Sequence, residues 1–170
     1  GRRRIATAVA DFVLKLDDNP LSLHPDRLPL RVVGDGITPR YQDNEAGQVS
    51  LHSRTSLAEV AAATGHAGLS EHRFRTNIVI DGIAAWEEQN WIGKKIQIGP
   101  VAFDVVKPKV RCLATHANPE TGERDVPLLA TLTRVFAQEQ PTFAVGMITS
   151  GRGGEVRVGD EVRVIEAPAH

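Results

Sequence analysis

The chain of 170 residues has one cysteine, few aromatic residues, no long apolar run and a formal net charge of −1. A single cysteine excludes an internal disulfide and a multi-cysteine zinc site, so a reducing cytoplasm is the expected compartment. A charge this close to zero gives no sign of a nucleic-acid partner. No apolar run reaches the roughly 20 residues that cross a bilayer, so no membrane partner is expected. The length suits one domain, which we take as residues 1–170.

Short β-strands dominate the predicted secondary structure. The predicted strands are residues 4–10 and 12–16 as a hairpin, 28–33, 77–80, then 95–98, 101–106 and 110–114 as adjacent antiparallel strands, and a terminal hairpin of 155–158 and 161–165 turned at Gly159-Asp160. A helix is predicted over 56–64, with Ser56 and Glu59 as a capping box and Gly65 as its stop. A second helix is predicted from Pro127 to about Gln138, and residues 38–47 as a loop.

Closely spaced strands with one apolar face favour a mainly β fold, a closed or nearly closed antiparallel β-barrel with a few flanking helices. A two-layer sandwich is the alternative. Long parallel strands alternating with helices are missing from the pattern, which argues against a Rossmann-type sheet.

The only cysteine, Cys112, lies in a basic stretch with Lys107, Lys109 and Arg111 before it and His116 after it. Neighbouring cations favour the thiolate, the form that attacks electrophiles and binds metals. A small buried hydrophobic residue is the alternative. In a strand His116 would lie about 13 Å further along, so a Cys-His hydrolase dyad would need a turn after Ala114.

A second basic segment, Arg73, Arg75 and Asn77, leads into a predicted strand. Guanidinium and amide groups are directed donors that suit a phosphate, although surface charges at a loop end would give the same pattern. The acidic pair Glu87 and Glu88 is expected to be solvated rather than catalytic.

Four blocks of this sequence resemble the MOSC domain, the C-terminal domain of molybdenum cofactor sulfurases. They are RFRTNIVIDG at 73–82, WIGKKIQIG at 91–99, KVRCLATHANPETGERD at 109–125 and VGDEV at 158–162. The resemblance implies a closed β-barrel. Related proteins include the sulfurase domain itself, the mitochondrial amidoxime-reducing components and bacterial proteins that detoxify N-hydroxylated bases.

The resemblance also implies a site for the molybdenum cofactor, molybdopterin. Cys112 matches the family cysteine and is expected to be the catalytic residue and the molybdenum ligand. Arg75 and Asn77 match the residues that hold the pterin and its phosphate, with Arg111 and Lys109 as further cofactor-binding residues. We expect the strand after Arg75 to lie beside the strand that carries Cys112, so that Arg75 and Asn77 converge on one basic cleft with Arg111 at its rim. At family level the resemblance extends to sulfur carriage and pyridoxal phosphate binding.

The sequence departs from the family pattern in three places. Thr76 stands where the family has proline, and Asn118 replaces the aspartate of a turn-forming DPETG loop, which we expect to be structural. The Gly1–Arg4 segment resembles a second N-terminal block, which predicts that the first family strand and its phosphate contacts are missing. The sheet edge left by that strand could be covered by another subunit in a homo-oligomer.

Three functions are consistent with the resemblance. The first is an oxidoreductase that reduces N-hydroxylated small molecules. Its electrons would come from a ferredoxin- or cytochrome-type partner, because no cysteine cluster for an iron–sulfur centre is present. The second is a non-redox sulfur-transfer or cofactor-carrier domain that uses Cys112 and works with a cofactor-handling protein. The third is a ligand-binding barrel without cofactor.

Overall fold

A computed structural model describes residues 1–34, 49–151 and 153–165 of the chain. The chain divides into two compact units, Gly1–Arg40 and Tyr41–His170. The helices are α1 (Arg2–Val13), α2 (Arg54–Thr64) and α3 (Leu128–Arg134); the strands are β1 (Val49–Ser53), β2 (Ile78–Ile80), β3 (Lys95–Ile98), β4 (Val101–Val110), β5 (Thr142–Ser150) and β6 (Val162–Ile165). Within these ranges no helix has the length and apolar character needed to traverse a bilayer.

The first unit is helical where the sequence pattern predicts a hairpin, so that prediction is wrong. Helix α1 covers both predicted strands up to Val13. Its residues include three alanines and no glycine or proline, and Ile5, Val9 and Phe12 recur at helical spacing. Residues 28–33 are not a strand either. Proline at position 29 offers no amide hydrogen to a ladder. The predicted loop at 38–47 lies outside the described residues.

The second unit is built on a sheet whose strand order in the described residues is β2-β1-β5-β4-β3-β6. Strands β1 and β2 pair in parallel, whereas the other neighbours are antiparallel. Strands β2 and β6 form the two ends of this sheet and do not pair with each other. The predicted mainly β fold with a few helices is confirmed, whereas the closed or nearly closed antiparallel barrel is corrected to an open, mixed half-barrel in the described part of the chain.

Strand β5 occupies a central position, although the sequence pattern did not predict it. It is bonded to β1 on one side and to β4 on the other, and residues 143–147 are buried. A strand covered on both faces shows no alternation of polar and apolar residues, and a continuous apolar run does not distinguish it from other buried segments. Strand β1 was not predicted either, and its antiparallel partner in the sheet is β5.

Strands β3 and β4 pair in antiparallel fashion, as predicted, with Lys95 opposite Asp104. Strand β4 then continues through Pro108 to Val110, where two separate strands were expected. Register shifts on both sides of Lys107 and Pro108 explain why a proline is tolerated there. Residues Leu113–His116 form a 3₁₀ turn instead of the end of a strand.

The C-terminal strand β6 pairs with β3, so the predicted terminal hairpin is wrong. The turn itself is present, because the Asp160 amide donates to the Arg157 carbonyl at 3.1 Å. The segment before that turn forms no strand, and β6 takes its partner from a distant part of the sequence.

Helix α2 begins earlier than predicted. Ser53 is its N-cap, and the Ser53 hydroxyl accepts from the Ser56 amide at 3.1 Å, so the proposed capping box at Ser56 is wrong. The predicted stop is confirmed, since Gly65 adopts a left-handed conformation with φ of 72°. Helix α3 is shorter than predicted at both ends, covering Leu128–Arg134.

Glu88 is fully buried, which corrects the expectation that it is solvated. Its carboxylate accepts from the hydroxyls of Ser53 and Ser56 at 3.1 and 2.9 Å and from the Ser53 amide at 3.3 Å. These bonds attach the 3₁₀ turn Glu87–Trp91 to the start of α2. A buried carboxylate is tolerated here because its oxygens are satisfied by hydrogen bonds.

We expect Glu88→Ala to lower the free energy of unfolding by about 3 kcal/mol. The change leaves buried hydroxyls without their acceptor and opens a cavity. Urea denaturation followed by circular dichroism measures the loss. Glu87→Ala is the matched control, because among the described residues Glu87 accepts only from the exposed side-chain amide of Asn90, and the change should cost less than about 1 kcal/mol. Equal losses in the two variants would contradict the assigned role of Glu88.

Candidate functional site

Cys112 lies just beyond the end of β4, and its side chain is exposed. It is the residue that caps the turn Leu113–His116, where the amide and hydroxyl of Thr115 both donate to the Cys112 carbonyl, at 3.1 and 3.0 Å. The main chain at the cysteine is therefore held while the thiol faces solvent. This position rules out the alternative of a small buried hydrophobic residue.

Arg111 points the other way, into the protein. Its Nε donates to the Phe143 carbonyl at 2.7 Å, its Nη2 donates to the same oxygen, and its Nη1 donates to the Phe74 carbonyl at 3.0 Å. The guanidinium carbon lies 5.7 Å from the centre of the Phe74 ring. The predicted place of Arg111 at the rim of a cleft is therefore wrong.

Burial changes the electrostatics of Arg111. Loss of solvent lowers the pKa of its guanidinium to about 10, and the nearby Cys112 acts in the opposite direction by favouring the charged form. The rings of Phe74 and Phe143 lie 4.0 Å apart and form part of the apolar cluster between α2, α3 and the sheet. A half-buried cation thus directly precedes the exposed cysteine.

Arg75 lies close to Cys112 because the turn before Arg75 packs against the turn after Cys112. It follows the 3₁₀ turn Glu71–Phe74, which packs against the turn Leu113–His116. Its side chain is exposed and its φ is 49°. The expectation that the strand after Arg75 lies beside the strand carrying Cys112 is wrong, because β1 and β5 separate β2 from β4.

Asn77 has a structural contact that the sequence did not indicate. Its side-chain oxygen accepts from the Ser50 amide and hydroxyl, both at 2.9 Å, and its own amide donates to the Ser50 carbonyl at 3.1 Å. These bonds join β2 to β1 where the two strands begin. Only the side-chain nitrogen of Asn77 has no partner among the described residues, so its role toward a ligand stays a prediction.

Arg73 is buried and does not form an anion-binding fork with Arg75. Its guanidinium pairs with the Asp125 carboxylate at 2.7 Å and donates to the His116 carbonyl at 2.9 Å. The predicted turn at Asn118–Gly122 is confirmed, since the Gly122 amide donates to the Asn118 carbonyl at 2.8 Å. Arg73 therefore attaches this turn-containing loop to the segment that carries Arg75.

The turn after Cys112 also contains His116, whose ring makes a contact that prevents it from acting as a base. Its Nε2 accepts from the Leu129 amide at 3.1 Å, at the start of α3. Burial, together with the charges of Arg124 and Arg73, lowers the pKa of His116. The imidazole is held in a neutral form by a main-chain donor, so its Nε2 is not available to a Cys112 thiol.

The described residues of this unit form six ion pairs, and the predicted cofactor-binding cations are outside them. Ion pairs of the described residues join Arg54 to Glu71 and Asp81, Arg73 to Asp125, Lys95 to Asp104, Arg157 to Glu155 and Arg163 to Glu161. None of these pairs includes Arg75, Lys107, Lys109 or Arg111, the cations that the sequence associates with Cys112. Lys94, Arg124 and Arg134 are likewise outside them. Of these cations, Arg75 follows a turn that packs against the turn after Cys112, where an exposed cation without an acidic partner attracts anions.

His52 and Thr76 form a buried pair that the sequence pattern did not reveal. His52 is fully buried on β1, and its Nδ1 lies 2.6 Å from the Thr76 hydroxyl. Its Nε2 has no partner among the described residues, and its ring lies 5.1 Å from that of Phe143. The one signal in the sequence was Thr76 itself, a hydroxyl where the resembled family has proline.

Comparisons with known proteins identify the family of the chain. The model of the MOSC domain family matches residues 38–163. Molybdenum cofactor sulfurases from Drosophila pseudoobscura pseudoobscura and Anopheles gambiae are 43% and 36% identical over 37% and 38% of the chain. The sulfurase of Caenorhabditis briggsae is 33% identical over 54% of the chain. The aligned segments span only 8%, 8% and 13% of these relatives' lengths.

We expect the protein to lose stability as the pH falls from about 6.5 toward 4, with His52 contributing roughly 3 kcal/mol at most. Burial lowers the pKa of His52 from 6.5 to about 4. Between these values the unfolded chain binds the proton and the folded protein does not, so acid favours unfolding.

Urea unfolding between pH 7 and pH 4 measures this dependence. His52→Phe removes the titrating ring from the core, so its free energy of unfolding should fall less steeply with acid than that of the parent. Because His116 and the carboxylates titrate in both proteins, the difference between the two curves isolates His52. Parallel curves would show that His52 does not carry the effect.

Proposed function

Because the chain belongs to the MOSC domain family, we propose that it binds the molybdenum cofactor with Cys112 as the protein ligand to molybdenum. The observation that carries the proposal is the position of Cys112. The thiol is exposed just beyond the end of β4, and Arg75, which follows a turn packed against the turn after Cys112, has no acidic partner among the described residues.

The donor set fits this cofactor better than a metal ion alone. No cluster of three or more histidine, cysteine or acidic side chains in the described ranges could hold a metal. A single thiolate is a soft ligand that suits a metal arriving with sulfur ligands of its own, as molybdenum does in its pterin. Arg75 and Lys109 are then available to bind the phosphate of the pterin.

The reaction proposed first is reduction of an N-hydroxylated compound. When bound, the cofactor supplies two-electron redox chemistry. In the overall reaction the N–O bond breaks, two electrons and two protons are taken up, and the oxygen leaves as water. The electrons come from a separate ferredoxin- or cytochrome-type protein. The chain itself contributes the thiolate of Cys112, the cations that bind the anionic cofactor, and the turn that presents the thiol to solvent.

A second candidate is non-redox sulfur transfer or cofactor carriage, in which Cys112 holds a persulfide received from a sulfur-donor protein or holds the cofactor itself. The observation that favours it is the name of the relatives, which are molybdenum cofactor sulfurases. An exposed thiol near cations suits both roles, because each uses the thiolate form. A cofactor-handling protein is the expected partner.

Protein produced in a cofactor-producing host separates these candidates. Bound molybdenum together with benzamidoxime reduction by a reduced viologen dye supports the oxidoreductase. Cyanide-labile sulfur on Cys112, without amidoxime reduction, supports sulfur transfer. A chain with neither molybdenum nor labile sulfur would contradict both and favour a ligand-binding module.

We expect Cys112→Ser to lose bound molybdenum and turnover while keeping the fold. Serine has nearly the same volume, but its oxygen is hard and poorly ionised and therefore binds a soft metal weakly. Elemental analysis and a thermal melt of parent and variant measure the two properties. Equal molybdenum content with unchanged activity would remove Cys112 from the site.

We expect Arg75→Ala to weaken cofactor binding about tenfold or more, because each charge-assisted hydrogen bond to phosphate contributes roughly 1.5–3 kcal/mol. Molybdenum and pterin retained per chain after gel filtration report the loss. Arg134→Ala is the matched control, since Arg134 is also exposed and unpaired among the described residues. Similar retention in the two variants would show that Arg75 only solvates a loop.

A further inference from the structure

We propose that Arg111 is a positioning residue: it holds Cys112 and Arg75 in place for a ligand and does not bind the ligand itself. The proposal deepens the proposed function and rests on it, because these two residues are the ones expected to meet the cofactor. It assigns Arg111 a different role from the cofactor contact that the family resemblance implies.

The hydrogen bonds of Arg111 carry the argument. An arginine side chain has five N–H donors in a rigid, planar fork. Nε, Nη1 and Nη2 each direct a donor to a main-chain carbonyl, two of them to Phe143 and one to Phe74. The face of the guanidinium lies against the Phe74 ring. Three of the five donors are therefore directed to main-chain oxygens inside the protein, and one N–H group on each Nη is left outside these bonds.

The two carbonyls bound by Arg111 share an unusual feature. Each directly precedes a non-glycine residue in the left-handed region, Arg75 with φ of 49° and Ala144 with φ of 73°. Such conformations are unfavourable for L residues and persist only where the surroundings impose them. The bonds from Arg111 stabilise both carbonyls in the orientation that these backbone conformations give them.

Arg111 therefore holds two parts of the site in place, the segment of Cys112 and the segment of Arg75. Cys112 directly follows Arg111 in the chain, and Arg75 directly follows Phe74. Through the two carbonyls, Arg111 connects the end of β4 to β5 and to the turn Glu71–Phe74. Lysine cannot replace it, because a single ammonium lacks the planar fork that reaches two oxygens while stacking on a ring.

The lone cysteine makes this inference directly measurable. A nitroxide attached to Cys112 reports the order of that position, with no other thiol in the chain to remove. We expect a restrained electron paramagnetic resonance spectrum in the parent and at least a doubling of the mobile component in both Arg111→Met and Arg111→Lys. The matched control, Arg134→Met, should leave the line shape unchanged. Folded Arg111 variants with the parent's line shape would overturn the proposal.

A second measurement uses the unmutated chain and tests the proposal even if neither Arg111 variant folds. In nitrogen-15 NMR spectra the Arg111 Nε–H should exchange with solvent at least tenfold more slowly than the Nε–H of exposed Arg134. Exchange at the same rate would overturn the proposal. Neither measurement needs the cofactor, so a protein that lacks molybdenum but shows both effects contradicts the proposed function and leaves the role of Arg111 intact.

Discussion

The hydrogen bonds from Arg111 to the carbonyls of Phe74 and Phe143 are the interaction on which the arrangement of the site depends. They join three parts of the chain that are distant in sequence: the end of β4, the central strand β5 and the turn before Arg75. A desolvated guanidinium is costly unless its donors are used, and here main-chain oxygens use them. Arg111 therefore supports both the packing of the two phenylalanine rings and the arrangement of the polar site.

Two of the basic residues in the family-like blocks make structural contacts that their sequence did not suggest. Arg73 pairs with Asp125, and Arg111 binds main-chain carbonyls. The side-chain oxygen of Asn77 connects β1 and β2. Of the cations predicted to bind the cofactor, Arg75 and Lys109 have no acidic partner among the described residues. The candidate site is thus smaller than the sequence implied and is supported by a larger set of structural contacts.

The outcome for His52 and Glu88 illustrates why burial of polar groups is hard to predict. Both residues are fully buried, yet neither lies in an apolar pattern that would indicate this. Glu88 is accepted in the core because the start of α2 supplies hydroxyl and amide donors, and His52 because burial keeps its ring neutral. Each of the two residues bonds to a partner more than 20 positions away in sequence: Glu88 to Ser53, and His52 to Thr76.

The sequence by itself determined what depends on neighbours along the chain: the pairing of β3 with β4, the stop of α2 at Gly65, the turn at Asn118–Gly122 and the family blocks around Cys112. Only the tertiary structure decided the central place of β5, the open mixed sheet and the inward direction of Arg111. These features depend on contacts between distant segments. A buried strand without alternation, or an arginine beside an exposed cysteine, has the same local sequence whichever partner it meets.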